Sequence, residues 1–338
     1  MDLKKAWRHR VFLKKPKLWL RIFNGYFSTL ILRKNRLRSV ELAITYACQA
    51  KCHKCYAANL LKSDRKPLSV EQIDAIWKQC QALGAIHVNI TGGEPTLRKD
   101  VVDIIRTLRP DRTMVSLVSN TLLIDEETIA AWARAGLNTL QASLDSARPE
   151  VHDQLRGVEG CFDKVINAAR LCHKYGINIC FSTVLSPEST SDESQMWELL
   201  QLCDREDAFL LICDSASVGG WDGQKEKMLS REERNSALAK LLKHPRARHH
   251  NLYNFRGRQG CPAGIEKLYI TAYGDVTPCD LMHEPFGNAL EEPVEAIWKR
   301  MGADPRFAQK TCECVRYLEN GIDPKCTKNL KKKRAAFL

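Results

Sequence analysis

Six times between residues 41 and 243 a short β-rich run is followed by a stretch with helical periodicity, and this alternation limits the fold more than any other feature. The β-rich runs are ELAITYA (41–47), IHVNIT (86–91), TMVSLVSN (113–120), TLQASLD (139–145), INICFSTVL (177–185) and FLLICD (209–214). The helical stretches are punctuated. Ser69 with Gln72, and Ser230 with Glu233, form capping boxes, while Gly84, Gly136 and Gly176 stand where helices stop. Strands separated by helices pair in parallel, because a crossover is long enough to return the chain to the same end. The expected fold is therefore α/β: a partial (β/α)6 barrel of the TIM type, with its chemistry at the C-terminal ends of the strands.

Two motifs fall at those ends, CQAKCHKC (48–55) and GGEP (92–95). Cys48, Cys52 and Cys55 are three thiols at C-x3-C-x2-C spacing, one short of the four ligands of a closed zinc site or ferredoxin cluster. On spacing alone, a 4Fe–4S cluster with one open iron, a zinc site with a distant fourth ligand and plain buried thiols all remain open. The chain has 14 cysteines in 338 residues, too long for a small disulfide-stapled secreted domain. Its basic start lacks a signal-peptide pattern, since Arg21 and Asn24 interrupt the apolar run. The expected location is a reducing cytoplasm, where clustered cysteines point to metal.

These motifs resemble those of the radical S-adenosylmethionine (SAM) superfamily, over roughly residues 40–215. C-x3-C-x2-C after the first strand and GGEP after the second are its marks. SLDSARPEVHDQLRG (143–157) resembles the fourth-strand region of the branch that modifies peptides and small molecules. The resemblance implies that SAM takes the open iron. It also implies that Gly92 and Gly93 let the backbone approach the methionyl end and that Glu94 meets the ammonium group. By the same likeness Ser143 contacts the ribose and Arg156 the SAM carboxylate, with Ser119 and Asn120 in the same wall. Where relatives place an aromatic residue or histidine before the third cysteine, this chain has Lys54, between His53 and the Cys55–Tyr56 pair. The implied chemistry is reductive cleavage of SAM to a 5′-deoxyadenosyl radical, with an electron donor of the flavodoxin or ferredoxin type.

The expected organisation is a basic N-terminal segment (1–38), the barrel (39–243) and a small metal-bearing module with a basic tail (244–338). In the last, Cys261, Gly274 and Cys279 follow C-x12-G-x4-C, which resembles the start of the SPASM and Twitch auxiliary-cluster modules, as do Gly287-Asn288 and Trp298. Cys312, Cys314 and Cys326 complete a set of five, too few for two four-cysteine clusters. One auxiliary 4Fe–4S cluster is the economical reading, with Cys261, Cys279 and two of the other three as ligands; a zinc knuckle is the alternative. The remaining cysteines read as small buried hydrophobes, and His249 and His250 as a solvated linker.

The charge is concentrated at the start of the chain. Residues 1–38 hold 12 Lys or Arg against one Asp, whereas the other 300 hold 40 basic and 39 acidic side chains. Basic residues there alternate with Trp19, Phe23, Phe27 and Leu30, a stripe that suits either an anionic membrane surface or docking on the barrel. The body has no basic patch of the kind a nucleic-acid partner requires. On this segment the sequence favours a lipid or other membrane-associated hydrophobic substrate, at the inner face of the membrane. A ribosomal-peptide maturase forming a crosslink or an epimer is the alternative, weakened because 38 residues are too few for a leader-binding domain. Dehydrogenation of a small alcohol or sugar is a third reading, and an iron–sulfur protein binding SAM or RNA without radical chemistry a fourth.

Overall fold

The computed structural model describes residues 15–32, 36–250 and 262–308. Helix α1 (Pro16–Tyr26) continues as a π-type turn (Phe27–Ile31) and leads to β1 (Ser39–Thr45). Then come α2 (Val70–Ala82), β2 (His87–Gly92), α3 (Val101–Thr107), β3 (Met114–Ser119), α4 (Glu126–Ala135) and β4 (Thr139–Ser143). These are followed by α5 (Pro149–Arg156), α6 (Cys161–Tyr175), β5 (Asn178–Leu185), α7 (Glu193–Arg205), β6 (Phe209–Asp214) and α8 (Arg231–Leu241). The described part closes with β7 (Ala247–His249), β8 (Lys267–Ile270), β9 (Asp275–Thr277), β10 (Gly287–Asn288) and α9 (Val294–Ala303).

The local signals act as the sequence suggests. The Ser69 hydroxyl accepts the Gln72 N–H while the Gln72 amide oxygen accepts the Ser69 N–H, so two otherwise orphaned donors start α2. Gly136 and Gly176 end α4 and α6 in the left-handed region, at φ 100° and 72°.

Strands β1 to β7 lie in chain order, all parallel, as in a partial TIM barrel. The other edge of β1 is taken by β8, also parallel, with Ser39 opposite Lys267 and Leu42 opposite Ile270. Strands β9 and β10 add antiparallel beyond it, so the cysteine-bearing C-terminal region continues the barrel's own sheet.

Side chains alternate across that sheet. Val40, Leu42, Ile44, Val88, Ile90, Leu117, Leu140, Phe181 and Leu210 are buried in the core shared with the outer helices. The intervening residues point to the inner face, and many are polar: Glu41, Asn89, Gln141, Ser143, Ser182 and Lys267, all half-buried. The outer core is thus apolar and the inner face mixed, these polar side chains standing among Ala43, Val118, Val184, Leu211 and Tyr269.

Helix α1 sits across the N-terminal ends of the strands. Leu18 is buried against Ile86 and Met114, at the starts of β2 and β3. Lys15 Nζ donates to Thr113 O at 3.2 Å and to Asn138 Oδ1 at 2.9 Å, and Arg21 donates to Gln81 O and Ala85 O at 2.9 and 2.7 Å. Burial lowers Lys15 to about 8, partly opposed by the Asp111 carboxylate.

Candidate functional site

The cysteine loop begins where β1 ends, and β2 closes over it. Gly93 N donates to Thr45 O and Glu94 N to Ala47 O, both at 2.8 Å. A Cβ on Gly92, whose φ is +132°, would stand 1.9 Å from Thr45 O, and one on Gly93 would stand 2.3 Å from Ala47 O. The two glycines are required because this segment lies on the chain's own backbone at the mouth of the loop.

Glu94 is completely buried and organises the end of β3. Its Oε1 accepts from Thr96 N, Thr96 Oγ1 and Ser119 Oγ at 3.0, 2.8 and 2.9 Å, and its Oε2 accepts from Asn120 N at 2.8 Å. Burial still raises its pKa, against the pull of these donors. With three bonds on Oε1 and one on Oε2, the remaining acceptor capacity is on Oε2. Asn120 in turn donates from Nδ2 to Cys48 Sγ at 3.6 Å and accepts Gln49 Nε2 at 3.3 Å. The next residue, Thr121, is held at φ +64°. A β-branched residue pays steric strain there, offset by Thr121 N donating to Ser119 Oγ at 2.9 Å.

A buried ion triad supports the loop from the other side. Lys54 Nζ lies 2.6 Å and Arg156 Nη2 2.7 Å from the Asp145 carboxylate, whose side chain is 1% exposed. Burial alone would raise Asp145, but Arg156 and Lys54 outweigh it and hold the carboxyl well below the usual range. Arg156 also donates from Nη1 to Cys52 Sγ at 3.8 Å. His152, fully buried, accepts Asp145 N–H on Nδ1 at 3.1 Å, and Asp153 accepts Gly160 N and Phe162 N at 2.6 and 2.8 Å at the start of α6. Ser143 ends β4 on the inner face, opposite Ser182.

Two of the three thiols therefore meet donors from elsewhere in the fold, Cys48 from Asn120 after β3 and Cys52 from Arg156 in α5. Burial raises Cys48 and Cys55, and repulsion from the neighbouring thiols adds to it; Glu94 adds further at Cys48. A bound cationic iron centre reverses that repulsion, and donors aimed at sulfur stabilise thiolate ligands, so the residues present fit a three-thiolate cluster.

The second cysteine group is only partly within the described residues. Cys279 is buried just after β9, and its carbonyl accepts Thr277 Oγ1 at 2.8 Å. Cys261, Cys312, Cys314 and Cys326 lie outside the described residues. Beside Cys279, Lys267 Nζ bridges Glu41 Oε1 at 2.6 Å and Asp280 Oδ1 at 3.5 Å on the inner face. Burial and the Asp280 charge raise Glu41 to about 7.

Several residues of this site escaped sequence reasoning. His249 and His250 are not a solvated linker: β7 pairs with β6, placing each Nε2 3.1 Å from the Asp214 carboxylate, with His249 only 4% exposed. Arg234 completes this set with two 2.6 Å contacts to Asp214. Gly219 and Gly220 carry no motif, yet a Cβ on either would stand within 2.3 Å of Cys55 O or His53 O, so this turn seals the cysteine loop. Trp221 follows it, its ring 5.9 Å from that of His53. A Gly-Gly pair after a strand was the one available signal.

The chain matches the radical SAM superfamily over residues 42–203 and an iron–sulfur cluster-binding domain over residues 261–327. It is 28% identical over 294 residues to the sporulation killing factor maturation protein SkfB of Bacillus subtilis, covering 83% of this chain and 70% of that protein. It is also 28% identical over 218 residues to the Fe-coproporphyrin III synthase of Methanosarcina barkeri, covering 64% of this chain and 53% of that one. Among solved structures, Streptococcus suis SuiB bound to its precursor peptide SuiA has the same fold, with TM-score 0.64 and 19% identity over 84% of this chain and 69% of SuiB.

Proposed function

The chain belongs to the radical SAM superfamily and carries an iron–sulfur cluster-binding domain, and on that premise we propose that it matures a ribosomally made peptide by forming a crosslink or an epimer. Its cofactors are SAM, a 4Fe–4S cluster and at least one auxiliary cluster. When bound, they supply a 5′-deoxyadenosyl radical that takes a hydrogen atom from a substrate C–H bond.

Cys48, Cys52 and Cys55 hold the first cluster, and Asn120 and Arg156 tune it through the sulfurs of Cys48 and Cys52. Gly92, Gly93 and Glu94 shape the methionyl end of the SAM site, Ser119, Asn120 and Ser143 its wall, and Arg156 its carboxylate contact. Asp145 fixes that guanidinium. Lys54 is committed to Asp145 and does not take the adenine role that an aromatic residue would fill. Cys279, with Cys261 and two of Cys312, Cys314 and Cys326, holds the auxiliary cluster.

The inner face bears on the choice of substrate. Asn89, Gln141, Ser143 and Ser182 offer donors and acceptors among Ala43, Val118, Val184 and Leu211, a mixed wall that suits a peptide better than a lipid chain. A lipid substrate rests on the basic N-terminal stripe, which stands at the opposite end of the strands from the cysteine loop. The likeness to a maturation protein supports the peptide reading by its identity, 28% over 294 residues against 22% over 317 residues for a heme synthase. The test is anaerobic reconstitution with SAM and a reductant, followed by 5′-deoxyadenosine quantification with the small-peptide fraction of host extract, a porphyrin or membrane lipid. Stimulation by the peptide fraction, with a peptide changed in mass or in the configuration of one residue, is the expected result. Stimulation by lipid or porphyrin alone overturns the peptide reading while keeping the radical chemistry.

A further inference from the structure

Helix α1 docks by one face only. Leu18, Gly25, Ser28 and Thr29 are buried, and Arg21 is bonded to the ends of α2 and the following turn. The opposite face presents Leu20, Phe23, Phe27, Leu30, Ile31 and Leu32 at 47–67% exposure, with Trp19 and Tyr26 along the same arc at 47% and 44%. Most large apolar side chains exposed among the described residues belong to this one segment, which spans roughly 25 Å at a helical rise of about 1.5 Å per residue. Contiguous apolar patches of this kind mark an interaction surface.

Charge identifies the partner. The segment 16–32 contains Lys17 and Arg21 and no acidic residue, and the 38 residues around it carry a formal +11, whereas the rest of the chain is nearly neutral. Lys17 is paired with Asp111 at 3.3 Å and Arg21 is bonded to the barrel. The charge therefore comes from the sequence on either side of the helix, Lys4, Lys5, Arg8, Arg10 and Lys14 before it and Arg33, Lys34 and Arg36 after it. An apolar aromatic face flanked by such runs suits the headgroup boundary of an anionic bilayer. No helix among the described residues is long and apolar enough to cross a membrane, so the contact is interfacial. Strands β2, β3 and β4 begin under α1 and end at the cysteine-loop side. We propose that α1 and the π-type turn after it form an anchor on anionic lipid, which holds the barrel with its SAM end turned away from the membrane.

This inference does not depend on the substrate. Full-length, anaerobically reconstituted protein is sedimented with vesicles of phosphatidylglycerol and phosphatidylcholine in equal parts, and with phosphatidylcholine alone. Wild type is compared with the double variant Phe23→Glu/Leu30→Glu. Binding to anionic vesicles is expected to fall on the order of a hundredfold in the variant, because each lost apolar side chain is worth about tenfold or more. In wild type it should weaken as added salt shortens the screening length. Hydrogen exchange on bound vesicles should slow at residues 16–32 and remain unchanged at 48–56. Equal sedimentation with both vesicle types, a variant that binds as wild type, or protection spreading to 48–56 overturns the proposal. So does a dimer abolished by the same variant without vesicle binding, which would assign the face to a second copy of the chain.

Discussion

The two ends of the barrel are built on opposite rules. At the C-terminal end, contacts converge from β1, β2, β3, α5 and the turn at 219–221, and the polar side chains that place the thiols are buried and paired. At the N-terminal end one helix is fixed by Leu18, Lys15 and Arg21 and leaves its apolar side open. The difference separates what each end must do. A site that holds a reactive intermediate needs several elements to fix one geometry and exclude water. A surface contact needs one docked helix and an exposed face. The proposed membrane contact and catalysis should therefore be separable in this protein.

The largest effect is expected at the thiols. Cys52→Ala should abolish both the iron–sulfur absorption of the first cluster and 5′-deoxyadenosine formation; full turnover in this variant would remove the cysteine loop from the chemistry. Next comes Asp145→Asn, which leaves Lys54 and Arg156 buried without their carboxylate. Breaking a buried ion set in this way costs about 3–5 kcal/mol, read as a lower unfolding midpoint together with loss of SAM affinity. A midpoint equal to wild type would mean that the triad does not support the loop.

Gly93→Ala tests the closure of β2 over β1. The new Cβ would stand 2.3 Å from Ala47 O, so the backbone must move, at a cost of about 1–3 kcal/mol and with weakened SAM binding measured by calorimetry. The N-terminal end offers a smaller, pH-dependent effect. Burial lowers His87, bonded to Ser39 and Ser116, from 6.5 to about 4. Between those values the unfolded chain binds more protons than the folded one, so stability falls as pH drops from about 6.5 to about 4. His87→Asn should flatten that part of the stability profile by about 1–2 kcal/mol, allowing for partial solvation of the ring; an unchanged slope would assign the acid sensitivity elsewhere. The smallest effect sharpens the comparison most. Phe23→Glu/Leu30→Glu should leave 5′-deoxyadenosine formation in solution at the wild-type rate, and a marked fall would show that the two ends are coupled.

Much of the architecture was legible because it rests on local signals. The strands expected at 41–47, 86–91, 113–120, 139–145, 177–185 and 209–214 all form, each shifted by no more than two residues at either end, since period-2 alternation and Gly or Ser punctuation act within a few residues. The Cys48–Cys52–Cys55 loop and GGEP were equally readable, as their spacing is contained in one turn of chain. What could not be read were pairings between distant segments. Lys54 with Asp145 and Arg156, Asp214 with His249 and His250, and the Gly219–Gly220 turn against Cys55 each join residues brought together only by closure of the sheet. The stripe on α1 shows the limit best: helical spacing revealed Trp19, Phe23, Phe27 and Leu30 as one apolar stripe, and the structure leaves all four exposed while the helix docks through Leu18 on its other side.

The sequence by itself determined the α/β class, the strands along the chain and the three-thiol loop, because these depend on periodicity and spacing, and the resemblance of its motifs pointed to the family. Only the tertiary structure decided that β8 joins β1, that polar side chains from separate strands gather on the inner face, and that the basic helix lies at the end of the barrel away from the thiols. These depend on which edge a strand takes and which end a helix caps. Such choices are set by long-range hydrogen bonds and by burial of particular faces, neither of which leaves a mark in local sequence.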